Sequence, residues 1–85
     1  MNIEEQLIGL VRDMIRLRGD TSSSAETERD QVREKIQIIG RTAAFFGGFD
    51  GMTKLHDKCE AMTGNRNEIG GVLNLAWDRI GGWCS

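Results

Sequence analysis

The chain's one histidine, His56, stands three residues before Cys59, with Asp57 beside it and Glu60 four residues on. On a helix, positions i, i+3 and i+4 share a face, so this group could chelate a metal or pair a thiol with a base. A closed structural zinc site takes four ligands, and here the fourth would have to be Asp57 or the distant Cys84. Activating a thiol also requires a base and an orienting group that converge on an accessible sulfur. Cys59 falls on the apolar side of its segment, which makes it a small core residue, with His56 at the boundary. The carboxylates Asp57 and Glu60 are of the kind any solvated helix carries. The pattern predicts no catalytic residue, no metal and no cofactor, and hence not an enzyme.

The remaining candidates read as structure. Ser22, Ser23 and Ser24 are cap residues before a helix rather than nucleophiles. Gly47-Gly48-Phe49-Asp50-Gly51 could open a helix toward an anion. However, no strand precedes it, no Lys-Ser/Thr pair follows, and Asp50 would repel a phosphate. The alternation of acidic and amide groups in a calcium loop is also missing. Asn65, Arg66 and Asn67 begin the last amphipathic segment, after a turn at Gly64. They could lead a recognition helix into the major groove of DNA, as in a helix-turn-helix regulator.

Composition constrains these readings. Eighty-five residues form one domain, with 39% apolar and 28% charged residues. Eleven glycines and no proline leave glycine as the residue that ends helices. Tyrosine is absent, which weakens the case for strands. Net charge is -2, with both signs interspersed along the chain, so the one-sided positive field that nucleic acid requires is missing. No run approaches the roughly 20 apolar residues of a membrane span. Glu4, Glu5 and Asp13 do not suit a signal peptide, and two cysteines are not a disulfide scaffold, although one Cys59–Cys84 bridge is conceivable. A reducing cytoplasm is the expected setting.

Apolar spacing and cap residues predict an all-α fold, a compact bundle of about four helices with a long second helix and short glycine-containing turns. The first runs from Ile3 to Arg18, capped by Asn2 and closed by Gly19. Its apolar face is wide enough to meet more than one neighbour. The second begins at Ser23 or Ser24 and ends at Gly47-Gly48, about 22 residues and roughly 33 Å. Val32, Ile36, Ile39, Ala43 and Phe46 form its core stripe. Phe49-Asp50-Gly51 is expected as a turn, with Asp50 capping a third helix to Thr63. The fourth runs from Asn65 to Ile80, with Ile69, Val72, Leu73, Ala76, Trp77 and Ile80 inside. Gly70 and Gly71 within it point to a close approach by another backbone or to a later helix start.

Core packing leaves Ile38 and Phe45, on a second line of that long helix, together with the Phe49 corner and Trp83, which after its double glycine could instead fold back on the helix end. Large apolar groups exposed together are common interface anchors. These four residues predict a non-catalytic module that acts by occupying a protein partner's surface, with a homodimer through Ile38 and Phe45 as one form. Small acidic helical proteins of this kind include phage-encoded inhibitors of bacterial defence complexes, an analogy of size and charge alone.

Overall fold

The computed structural model describes residues 3–64 and 66–83, without the side chains of Arg66 and Asn67. It contains three helices, α1 (Ile3–Leu17), α2 (Ser23–Thr63) and α3 (Arg66–Trp77), and no strand among the described residues. The expected Asn2 and Asn65 caps lie outside them.

Three helices rather than four are delimited, because helical turns run on through the glycine pair. Gly48 itself is non-helical, however, and divides α2 in two at the place where the second helix was expected to end. Helical structure continues through Phe49, Asp50 and Gly51, so the expected turn and the Asp50 cap are absent. The direction of the helix nevertheless changes there. Gly48 adopts φ 63°, ψ -156°, a region that residues with a Cβ avoid. A straight helix of 41 residues would extend about 62 Å, yet the longest dimension of the molecule is 37 Å. The kink therefore folds α2 into two arms, residues 23–47 and 49–63. They approach closely enough that a Cβ on Gly51 would lie 2.9 Å from the Ala43 carbonyl oxygen.

The caps differ by a residue or two from expectation. Ser22, not Ser23 or Ser24, starts α2, and its hydroxyl accepts the Ala25 N–H at 3.2 Å. Gly64 closes α2 in the left-handed conformation, donating to the Glu60 carbonyl at 2.9 Å. α3 ends at Trp77 rather than Ile80. Beyond it Arg79, Gly81 and Gly82 all take positive φ, and Arg79 N–H donates to the Trp83 carbonyl at 2.8 Å. This reverses the chain and brings Trp83 back onto α3.

The core draws on every element: Leu7, Val11 and Leu17 from α1, Val32, Ile36, Met52 and Cys59 from α2, and Ile69, Leu73 and Trp77 from α3. α1 packs against both other helices, as its wide apolar face requires. Trp77 is enclosed and donates its indole N–H to the Ile36 carbonyl at 3.0 Å, so its polar atom is not left unpaired. Gly40 makes room for that ring, since a Cβ there would lie 2.5 Å from Trp77 Nε1. Gly70 is also needed for space, but beside a side chain rather than a backbone. A Cβ on it would lie 2.7 Å from Glu60 Oε2.

Candidate interaction face

Three exposed phenylalanines flank the Gly48 kink. Phe45 and Phe46 are 83% and 81% exposed and meet edge to face, their centroids 5.2 Å apart. Ile38 is 50% exposed and Phe49 52%, so both keep an open side. Phe46 was expected in the core with Ala43. The stripe instead runs out against an open groove of about 500 Å³ rather than another helix. Ile3, Thr42, Ala43, Phe46, Gly47 and Leu55 form the walls of this groove.

Charges frame the groove. Lys54 stands on its rim, as do Lys58 and Glu4, which pair at 3.1 Å. The Glu4 carboxylate is held below its ordinary pKa by its own backbone N–H and by Lys58. That pair ties the start of α1 to the second arm of α2. Beneath it, Cys59 Sγ lies 3.9 Å from the Glu4 carbonyl oxygen. Burial, with the Glu4 charge adding to it, pushes the Cys59 thiol up to about 11. Cys59 is free, and Cys84 lies outside the described residues.

Trp83 does not belong to this surface as an anchor; it takes the other course open to it and folds back on the helix end. It is buried, donates its indole N–H to Asn74 Oδ1 at 3.1 Å, and meets Trp77 edge to face at 5.3 Å. Phe49 leans on it at 5.3 Å, so one expected anchor holds another in place. His56 lies under the same cluster, 5.2 Å from the Trp83 ring, and is buried rather than at the boundary.

His56 Nδ1 lies 3.2 Å from Glu60 Oε1 and 3.5 Å from Asp57 Oδ1. These three residues offer ligand atoms within 4.8 Å of one another, one short of the four that a closed zinc site takes. Cys59 is not in that group and is fully enclosed, as expected of a small core residue. Its sulfur turns to the α1 backbone instead. His56 Nε2 is buried without a partner among the described residues. The base and thiol expected to share a face thus have separate surroundings.

The candidate DNA contacts are not tested by this geometry. Asn65 lies outside the described residues, and the side chains of Arg66 and Asn67, at the start of α3, are also outside them. Most of the apolar residues of α3 are buried, as expected, except Leu75.

The fold and this face define a class: a small all-helical protein with an aromatic edge that its own core does not cover. No family model matches the sequence, and no curated protein and no solved structure matches it. No helix among the described residues is long and apolar enough to cross a membrane.

Proposed function

We propose that the protein is a non-catalytic binding module that acts by occupying a partner's surface with the edge beside Gly48. The observation that carries this reading is the exposure of Phe45 and Phe46 on a chain whose core closes without them. Ile38, seven residues before Phe45 on the same arm, and Phe49, just past the kink, are half-exposed as well, and Lys54 supplies a charged rim. A non-catalytic role is supported by Cys59, whose buried thiol with its raised pKa is a poor nucleophile.

A second copy of the chain is a natural occupant, since a two-fold dimer through Ile38 and Phe45 covers the same edge in both copies. Size and charge also favour an inhibitor acting in the cytoplasm, in the manner of small acidic phage-encoded proteins directed at bacterial defence complexes.

Size exclusion with light scattering, followed by affinity capture from the native host, tests the proposal when run beside Phe45→Glu/Phe46→Glu. The expected result is a dimer or a captured protein that the variant loses while its helical circular dichroism stays unchanged. A monomer whose captured proteins are the same with and without the substitutions would remove the reading.

A further inference from the structure

A second pocket, of about 440 Å³, opens where the end of α1, the first arm of α2 and α3 meet. Arg18, Arg29 and Arg33 line it together with Met14, Val72 and Leu75. We infer that it binds an amphiphilic oxyanion, a carboxylate or phosphate carrying a short apolar group. This inference is independent of the face proposed above.

Electrostatics supply the first part of the argument. A chain of net charge -2 gathers three of its eleven cationic side chains at one pocket. Arg29 and Arg33 lie four apart on α2, where like charges destabilise a helix unless something neutralises them. Among the described residues, the ion pair these arginines make is Arg33 with Asp30, at 3.9 Å between exposed side chains. The Asp20 carboxylate feels Arg29, but it accepts the Ser22 N–H at 3.0 Å. Arg18 makes no ion pair among the described residues.

Positioning supplies the second part. Arg29 is half-buried, and its Nη1 donates to the Leu17 and Asp20 carbonyls at 2.7 and 2.9 Å. The end of α1 therefore holds the guanidinium by one corner. Its Nη2 and Nε hydrogens bond to nothing among the described residues. A planar fork fixed in this way suits a carboxylate or phosphate, and ordering it beforehand lowers the entropy lost on binding.

The floor supplies the third. Leu75 is 72% exposed on a helix whose other large apolar side chains are buried, and it lines this pocket beside Val72. An anionic head against the arginines would place its apolar tail on that floor.

The test is an NMR titration of the intact protein with octyl phosphate below its micelle concentration, beside inorganic phosphate and octanol. Octyl phosphate is expected to bind most tightly, with shifts centred on residues around the pocket. Arg18→Gln/Arg33→Gln should weaken that binding about tenfold or more, and both side chains are exposed, so the fold should persist. Leu75→Ser should weaken octyl phosphate without changing inorganic phosphate. Scattered shifts, or equal binding of octyl phosphate and inorganic phosphate, would overturn the inference. Unchanged binding by the arginine variant would overturn it too, since the arginine stems would then merely cover Leu75. Sedimentation with phosphatidylglycerol vesicles would assign the ligand to a lipid headgroup. Binding of octyl phosphate without such sedimentation would assign it to a soluble amphiphile.

Discussion

Two edge-to-face aromatic pairs lie in this molecule with nearly the same geometry and opposite surroundings. Trp77 and Trp83 meet at 5.3 Å and 87°, buried, with both indole N–H groups bonded. Phe45 and Phe46 meet at 5.2 Å and 87° on the surface. Ring geometry therefore does not distinguish core from edge. Cover by another chain segment does. Trp77 and Trp83 are joined by a reversal built from Arg79, Gly81 and Gly82, which lets one ring close over the other. Phe45 and Phe46 are neighbours on one helix and diverge by about 100°, so enclosing both takes cover on two sides, as Val72 and Leu73 have and these two rings lack.

The largest expected effect breaks that comparison directly. Trp77→Ala removes a fully enclosed ring and orphans the space Gly40 leaves for it. It should cost about 3–5 kcal/mol in urea unfolding. Phe45→Ala/Phe46→Ala should change the stability of the isolated chain by no more than about 0.5 kcal/mol. A loss of several kcal/mol in the double variant would mean those rings are enclosed within one subunit.

The glycine pair between the two arms sharpens the contrast at a single step in the chain. Nothing lies within 4 Å of a Cβ added at Gly47 or at Gly48, so packing cannot separate them. Backbone conformation can. Gly48→Ala forces a Cβ into φ 63° and should destabilise by about 1–3 kcal/mol. Gly47→Ala sits at a helical position and should be neutral or stabilising by up to about 1 kcal/mol. Thermal unfolding of the two variants side by side decides the point. Equal destabilisation would mean that the kink is shared between both residues.

These effects also mark what could be read beforehand. The buried faces of α1 and α3 were legible because each is one amphipathic segment, with apolar residues recurring at helical spacing. The place where α2 breaks was legible as well, at Gly47-Gly48, but the helical turns that persist across it were not. A glycine pair can end a helix or bend it, and local sequence does not choose between them. Exposure of Phe46 was hidden for a related reason: its spacing matches the core stripe, but periodicity does not say whether another element covers that turn. Ile38 and Phe45 were legible as surplus because they fall off the stripe altogether. That Trp83 could fold back on the helix end was legible from the double glycine before it, but the reversal also needs a positive φ at Arg79, to which no propensity of that residue points. Arg29 bonding the end of α1 links residues twelve apart across a connector, beyond the reach of any local pattern.

The smallest effect separates the covered side of α2 from its open edge by pH. Burial, with Glu4 adding to it, raises the Cys59 thiol from its ordinary 9.0 to about 11 in the folded protein. A raised folded value means the neutral thiol is favoured by folding. That contribution is fully present below pH 9.0, the unfolded value, and is lost as pH climbs toward about 11. Urea midpoints should therefore fall more steeply between those pH values for the natural chain than for Cys59→Ala, which lacks the group. Iodoacetamide at pH 8 should modify the folded protein far more slowly than the urea-unfolded chain at this position, read by peptide mass spectrometry. Rapid labelling of the folded protein would mean that the clasp between Glu4 and Lys58 opens readily, exposing the groove floor together with the sulfur.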